Sequence, residues 1–152
     1  IDYETSGLVL FCKHPFFQAY CDKNMEEHHI KKEYIALVQG HTNYKNKKII
    51  SNIARDRHNA KKMIIHPNGK ESVSIFNTLK NYKDCSLIQV TILTGRKHQI
   101  RVQCASLNHP ILNDPLYGGK KIDNTGLLLQ SHHIQFNDVN ITCPQEKRFI
   151  RK

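Results

Sequence analysis

Short apolar runs, many of them alternating with polar residues, divide the chain into strand-sized segments separated by turns. The pattern predicts strands over residues 7–13, 33–39, 63–65, 73–79, 85–93, 127–136 and 139–143. Helical spacing predicts one helix from Pro15 to about His29 and a second after Gly95 that ends before Asn108. Many strands with two helices and hairpin-length turns indicate an α+β fold with a mixed, mainly antiparallel sheet and a few flanking helices.

Each of the two predicted helices has apolar residues at helical spacing. In the first, Phe16 and Tyr20 repeat at helical spacing, and in the second Ile100 and Cys104 do. No repeat, linker or change of composition divides the chain, so residues 1–152 are expected to form a single domain. Its last residues, 144–152, are expected to be a solvated basic tail.

The charge balance is strongly basic, with 23 Lys and Arg against 13 Asp and Glu and a net charge of +10. Such a surplus favours a polyanionic partner, nucleic acid first and an acidic membrane second, although a merely soluble basic protein fits equally well. Residues 41–62 concentrate the charge, because seven Lys and Arg stand there against one Asp, a net of +6.

Several protein classes are excluded by motif and length. The longest apolar run, residues 8–12, is far short of the about 18 residues that cross a bilayer, and no signal peptide is evident. Five scattered cysteines without a C-x-x-C pair indicate a reducing compartment such as the cytoplasm. Nucleotide-binding loops, zinc-ligand spacings and the G-x-S-x-G elbow are absent, so no nucleotide cofactor and no metal are expected. Because the chain begins with Ile1, we expect it to be trimmed or part of a longer product.

Three segments stand out as candidates for chemistry, although each has an ordinary structural explanation. Asp2 precedes a predicted strand, where a carboxylate is commonly part of a turn. Tyr34 lies within a strand, where tyrosine is most often a packing residue. Arg96 and Lys97 lie where a strand becomes a helix, and cations there oppose the helix dipole. This last placement suggests an anionic partner, which the helix amides would also favour.

Together these segments resemble the RluA-type pseudouridine synthases, which isomerise uridine in structured RNA. Residues 2–11 (DYETSGLVLF) are similar to the family's catalytic segment R-[LI]-D-x-x-T-S-G-L, and residues 32–40 (KEYIALVQG) to its K-x-Y-x-A-L-V-x-G strand. Residues 94–102 (TGRKHQIRV), with the later His-Pro and Asp-Pro-Leu-Tyr-Gly, match its T-G-R-x-H-Q-I-R…H-P…G-D…Y-G block. The resemblance runs in order over residues 2–136.

The chain departs from the family pattern at a few positions. Lys97 stands where Thr is common, and Asn108 and Asn113 stand where Gly is common. The family's arginine before Ile-Asp would lie upstream of Ile1, together with the first part of the catalytic fold. The resemblance therefore implies the C-terminal part of a pseudouridine synthase domain that is incomplete at its N-terminus.

The resemblance also implies a cofactor-free mechanism and a set of site residues. Asp2 is expected to act at the ribose as nucleophile or base, Arg96 to be its ion-pair partner, and Tyr34 to stack on the uracil and take its C5 proton. The partner would be structured RNA, ribosomal or transfer, bound by a monomer through Lys45, Lys47, Lys48, Arg55, Arg57, Lys97, His98, Gln99 and Arg101. The alternative is a non-catalytic RNA-binding remnant of such an enzyme.

Overall fold

A computed structural model describes residues 1–27 and 29–151. The strands are β1 (Ser6–Gly7), β2 (Lys31–Gln39), β3 (Lys47–Arg55), β4 (Met63–Ile65), β5 (Lys70–Asn81), β6 (Cys85–Ile92), β7 (Leu129–Phe136) and β8 (Val139–Thr142). The α-helices are α1 (Pro15–Glu26) and α2 (Gln99–Ser106), and a 3₁₀ turn spans Lys147–Phe149. No helix in the described ranges is long and apolar enough to cross a membrane.

The strands form one sheet in the order β1-β7-β2-β6-β5-β3-β4, with β8 paired to β7. Every pairing is antiparallel except the short parallel contact between β1 and β7. The predicted α+β fold with a mainly antiparallel sheet is confirmed. Strand β2 is buried continuously over residues 34–38, the pattern of a central strand that is covered on both faces.

The main core lies along the central strands and under the last residues of the chain. Its fully buried members include Leu37, Phe76, Ile88, Leu128 and Phe149. Each apolar side chain of this size contributes about 1.5–3 kcal/mol when it is removed from water. Burial of this core fixes the central strands, and β2, β6 and β7 carry strand residues that line the candidate site.

The strand predicted over residues 7–13 is wrong beyond Gly7. Strand β1 pairs only with Gln130 and Ser131, and the last ladder bond runs from the Leu8 amide to the Ser131 carbonyl at 3.0 Å. From His133 onwards the same edge of β7 is occupied by β8. The apolar residues after Gly7 therefore have no free edge of β7 to pair with, and their side chains are largely exposed.

Strand β3 lies inside the segment that the sequence marked only as polar and basic. Its residues alternate weakly because Lys47 and Ser51 share a face with the buried Ile53, while Ile50 lies on the opposite, exposed face. The strand pairs with β5 from Lys47 to Ile53 and with β4 from Ile53 to Arg55. Tertiary pairing, and not local propensity, makes this segment a strand.

Helix α1 begins at Pro15 as predicted and ends at Glu26, and its buried face differs from the predicted one. Phe16 is almost fully exposed, whereas Cys21 and Asn24 are buried. Cys21 packs with Ile30 and Phe136 in a small separate cluster. Helix α2 does bury the predicted residues Ile100 and Cys104.

The predicted solvated tail is wrong at Arg148 and Phe149, while Pro144, Gln145, Lys147 and Ile150 are exposed; Lys152 lies outside the described residues. Phe149 is completely buried in the main core. Arg148 donates hydrogen bonds to the carbonyl oxygens of Thr125 and Leu127, and its Nη2 donates to Ser6 Oγ at 2.7 Å. Ser6 Oγ also donates to the carboxylate of Glu146. The end of the chain therefore clamps the segment that carries Asp2.

Backbone geometry explains why three positions hold the residues they do. Asn108 and Asn113, which replace glycines common in the resembled family, both have φ of 62°. This left-handed region is tolerated by asparagine better than by most other residues, so both substitutions preserve the turn. Gly7 has φ of 97°, and a Cβ there would collide with the Ser131 backbone, so no side chain fits where β1 meets β7.

Candidate active site

Asp2 is held beside the sheet by a turn and a short strand. Its carbonyl oxygen accepts a hydrogen bond from the Thr5 amide at 3.0 Å, and Thr5 is buried. The next two residues form β1 on the edge of β7. The Asp2 carboxylate is 19% exposed, so it is largely withdrawn from water yet open to the cavity it lines.

The cation beside Asp2 is Arg101 on α2. Arg101 is buried, and its Nε and Nη2 each donate to the Asp114 carboxylate at 2.8 Å. Its Nη1 lies 3.7 Å from Oδ2 of Asp2, and its Nη2 lies 3.5 Å from Glu4. Burial disfavours the guanidinium charge, but the hydrogen bonds and charge of Asp114 outweigh it and raise the pKa of Arg101. The bidentate pair fixes the plane of the guanidinium, so one edge stays directed towards Asp2.

The predicted ion pair between Arg96 and Asp2 is wrong. The Arg96 side chain turns towards β5, where its Nε donates to the carbonyl oxygen of Glu71 at 2.9 Å. Helix α2 begins only at Gln99, so Arg96 lies ahead of the helix and not in its first turn. Arg96 is exposed and still lines the cavity, as does Lys97.

The carboxylate opens into a cavity of about 490 Å³ between the sheet and the start of α2. Tyr34 of β2 forms part of its wall and is paired across the sheet with Ser131 and Val90. Lys32, two residues earlier on the same strand, lines the same cavity, and burial lowers the pKa of its ammonium. The apolar part of the wall comes from Ile92, Ile100, Leu129 and Ile134. The cavity thus combines one carboxylate, several cations and a flat aromatic ring.

The environment of Tyr34 keeps its hydroxyl protonated. Burial raises the pKa of Tyr34, the negative charge of Asp2 adds to the effect, and a hydrogen bond with Ser131 partly opposes it. A phenol with a raised pKa is a hydrogen-bond donor and a stacking surface at neutral pH. The roles of Tyr34 as a stacking surface and as the acceptor of the C5 proton stay predictions.

The residues predicted to bind RNA fall into two groups. Gln99 is buried, and its amide bonds to Thr94, Val73 and Ser74, but it lines the cavity, so its RNA contact stays a prediction. Arg101 is likewise buried, and its guanidinium already contacts three carboxylates, so its RNA contact stays a prediction. His98 is buried but lines the cavity. The exposed members, whose RNA contacts stay predictions, are Lys45, Lys47, Lys48, Arg55, Arg57 and Lys97.

Sequence reasoning missed Asp114, Tyr117 and Lys32 as site residues. Asp114 is fully buried and orients Arg101, and the Tyr117 ring lies 5.2 Å from the Arg101 guanidinium carbon. The pairing of Arg101 with Asp114 depends on how α2 packs on the following loop, which no local pattern reveals. The one signal in the sequence was Asp114 itself, which lies in the Asp-Pro-Leu-Tyr-Gly motif after the second helix.

The comparison with known families decides the identity. Residues 1–106 match the model of a family described as RNA pseudouridylate synthase. The chain belongs to this RNA pseudouridylate synthase family. Relatives named ribosomal large subunit pseudouridine synthases C and D agree with the RluA type that the motifs indicate.

Similar family members come from bacteria and from human. An uncharacterized RNA pseudouridine synthase of Bacillus subtilis is 39% identical over 121 residues, covering 78% of this chain and 40% of the relative. Ribosomal large subunit pseudouridine synthase C of Buchnera aphidicola is 39% identical over 165 residues, covering 98% of this chain and 52% of the relative. The solved structure of human RNA pseudouridylate synthase domain containing 1 superposes with a TM-score of 0.84 at 25% identity, covering 95% of this chain and 66% of that one. The chain spans about half the length of the curated relatives it matches.

Proposed function

We propose that the protein isomerises uridine to pseudouridine in structured RNA, with ribosomal RNA as the first candidate substrate. The observation that carries the proposal is the Asp2 carboxylate beside a permanent cation, 3.7 Å from Arg101, at the wall of a cavity that also holds Tyr34. Two of the bacterial relatives are named for the large ribosomal subunit, which favours that RNA over transfer RNA.

The reaction breaks the bond between ribose C1′ and uracil N1, turns the base, joins C5 to C1′ and releases the C5 proton. An ionised carboxylate can attack C1′ or remove the C2′ proton, and Asp2 is the candidate for either route. Arg101 holds a fixed positive charge 3.7 Å from the Asp2 carboxylate. Because a base inside folded RNA is not accessible, the uridine must leave its stack, and Tyr34 offers a surface on which it can lie.

RNA binding is proposed to follow the exposed basic residues of β3 and the loop after it. The strand spans about 27 Å from Lys47 to Arg55, given a rise of about 3.4 Å per residue. The loop after β3 reaches the site, since Lys62 Nζ lies 5.7 Å from the centre of the Tyr117 ring. Phosphates contacted along this line would lead an RNA strand to the cavity.

Substitution of Asp2 by Asn tests the proposal in the full-length gene product that contains this chain. We expect Asp2→Asn to abolish pseudouridine formation, measured by single-turnover tritium release from C5-labelled ribosomal and transfer RNA transcripts. Its affinity for RNA should stay within a few-fold of the parent, because the amide keeps the shape of the side chain. Glu4→Gln, which also removes a carboxylate near Arg101, is the matched control.

Two outcomes would contradict the proposal. An Asp2→Asn protein that isomerises uridine at the parental rate would remove Asp2 from the chemistry. A parent that binds RNA tightly and releases no tritium from any transcript would favour the alternative, a non-catalytic RNA-binding remnant.

A further inference from the structure

His98 occupies a position that the mechanism above leaves unused. It precedes α2 with a left-handed backbone (φ of 55°), and its ring lines the cavity that holds Asp2. The ring meets Tyr117 edge to face, with centroids 5.6 Å apart at an interplanar angle of 88°. Backbone and packing therefore fix the direction of the imidazole before any ligand binds.

The hydrogen-bond pattern of Tyr117 determines which ring nitrogen of His98 carries a proton. The Met63 amide donates to the Tyr117 hydroxyl oxygen at 2.9 Å, and that oxygen lies 2.8 Å from His98 Nδ1. A tyrosine hydroxyl has one hydrogen, and Nδ1 is the acceptor it reaches among the described residues. Donation from the Tyr117 hydroxyl to Nδ1 would satisfy that hydrogen, and a neutral ring would then carry its own hydrogen on Nε2.

The Nε2 atom of His98 is not fully buried and is unpartnered among the described residues. Within residues 1–27 and 29–151 it has no hydrogen-bond partner, and it is not among the buried unpaired polar atoms. Because His98 lines the cavity, a hydrogen on Nε2 is free to be donated there. Burial, supported by the charges of Arg101 and Lys97, lowers the pKa of His98 and keeps the ring neutral.

We propose that His98 donates a hydrogen bond from Nε2 to an uncharged oxygen of the bound nucleoside, and that Tyr117 is the positioning residue that holds His98 in this tautomer. The inference rests on the proposed function, which brings a uridine into the cavity. A phosphate is the poorer ligand here, because an anion favours the imidazolium. That form would need to donate from Nδ1, where Tyr117 already donates.

The tautomer is tested by nuclear magnetic resonance of full-length protein labelled with ¹⁵N in its imidazole rings. We expect the His98 signal, assigned by its loss in His98→Asn, to show protonated Nε2 and unprotonated Nδ1 at neutral pH. In Tyr117→Phe, which keeps the ring and loses the hydroxyl, the signal should change to a mixture of tautomers. Protonated Nδ1 in the parent would overturn the proposal.

A double-mutant cycle tests whether Tyr117 acts through His98. His98→Asn keeps the left-handed backbone, which asparagine tolerates, and should slow single-turnover isomerisation about 2- to 12-fold through loss of one hydrogen bond. The loss caused by Tyr117→Phe should disappear in the His98→Asn background. An equal loss in both backgrounds would show that Tyr117 matters only through Met63, and would overturn the positioning role. His41→Asn, whose ring bonds the carbonyls of Tyr82 and Lys83 outside this cavity, is the matched control.

Two further readouts separate the possible results. An RNA carrying 2′-deoxyuridine at the target identifies the oxygen: a His98→Asn effect that vanishes there assigns the ribose hydroxyl, and one that persists assigns a base carbonyl. If the parent isomerises no RNA, the proposed function fails, while the tautomer measurement still reports on His98 and Tyr117. RNA affinity that rises as His98 gains a proton would indicate a phosphate ligand and contradict the proposal.

Discussion

At the residue scale, the site depends on a single guanidinium that is surrounded by carboxylates. Arg101 contacts Asp114 at 2.8 Å through two nitrogens and Asp2 at 3.7 Å through the third. Asp114 is fully buried, so its charge depends on Arg101 for compensation. The same residue therefore supports the stability of the fold and holds a positive charge beside the candidate catalytic carboxylate.

Arg101→Ala should lower the free energy of unfolding by about 3–5 kcal/mol, because it leaves the Asp114 carboxylate buried and unpaired. Urea unfolding of the full-length protein measures the change. The matched control is Arg96→Ala, which removes an exposed arginine and should change stability by no more than about 0.5 kcal/mol. A larger loss from Arg96→Ala than from Arg101→Ala would contradict this account of the site.

The pH dependence of stability should contain a contribution from His98. Burial lowers the pKa of the folded His98 below its ordinary value of 6.5, with Arg101 and Lys97 acting in the same direction and Asp2 and Asp114 opposing. The unfolded state then binds the proton more readily. The stabilisation is therefore complete above the unfolded pKa and is lost as the pH falls from there towards the folded pKa.

Urea unfolding of the parent and of His98→Asn between about pH 5 and pH 8 isolates this contribution. As the pH falls, we expect the unfolding free energy of the parent to decrease relative to that of His98→Asn. The other histidines cancel in this difference. A difference that stays constant across the range would show that His98 titrates alike in both states.

At the element scale, helix α2 is held on the sheet by a buried polar network. Gln103 is fully buried, accepts a hydrogen bond from Ser74 at 2.8 Å, and donates to Ser51 at 3.1 Å and Ser72 at 3.3 Å. Gln99 joins the network through its own bond to Ser74. Because α2 also carries Arg101, these amides set the position of the guanidinium relative to the sheet.

Gln103→Leu should therefore lower the free energy of unfolding by about 1–3 kcal/mol, since it leaves buried hydroxyls without their partner. Thermal and urea unfolding measure the loss. Gln135→Leu makes the same chemical change at an exposed position of β7 and should cost no more than about 0.5 kcal/mol. Similar losses in the two variants would indicate that the network contributes little.

The elements that the sequence predicted correctly are those whose pattern reflects burial on one face or on both. Strand β6 alternates well, and β2 is a continuous apolar run, so both were predicted close to their observed bounds. The run after Gly7 has the same local pattern and fails, because β8 occupies the edge of β7 that it would need. Strand β3 was missed for the opposite reason, since pairing with β5 overrides a polar composition.

The site was predicted less completely than the fold. The motifs identify Asp2 and Tyr34, and the structure brings both to one cavity. The cation was assigned to Arg96, whereas the structure puts Arg101 beside the carboxylate, because the helix begins later than the pattern suggests. Distances between side chains on different elements follow from packing, which periodicity does not encode.

At the scale of the whole molecule, the net charge of +10 is spread unevenly over the surface. Lys45 and Lys48 are exposed near the start of β3, while Arg57 lies in the loop after its far end. Lys47 differs from its neighbours, because its ammonium lies 5.0 Å from the centre of the Tyr44 ring and also contributes to packing. Lys45 and Lys48 are therefore the cleaner probes of phosphate contacts.

The double substitution Lys45→Gln with Lys48→Gln should weaken RNA binding across sequences. It should also reduce the steepness of the plot of log affinity against log salt concentration by about 1.4, since each lost phosphate contact to a single strand reduces that slope by about 0.7. Filter binding over a salt series measures the slope. Lys23→Gln with Lys31→Gln removes the same charge from lysines paired with Glu27 and Glu33, and should leave the slope unchanged. Equal slopes in the parent and the first variant would show that this run is only a solvated surface.

The hydrogen bonds of Glu146 and Arg148 with Ser6 affect the order in which parts of the domain become ordered. Ser6 is bound by Glu146 and Arg148, residues separated from it by 140 and 142 positions. A contact that closes so long a loop carries a large entropic cost, and it forms only after the intervening strands have paired. During synthesis the segment that carries Asp2 leaves the ribosome well before Glu146 and Arg148, so its hydrogen bonds to them form only after about 140 further residues have been made. The position of the Asp2 carboxylate therefore depends on a late contact as well as on its own turn and strand.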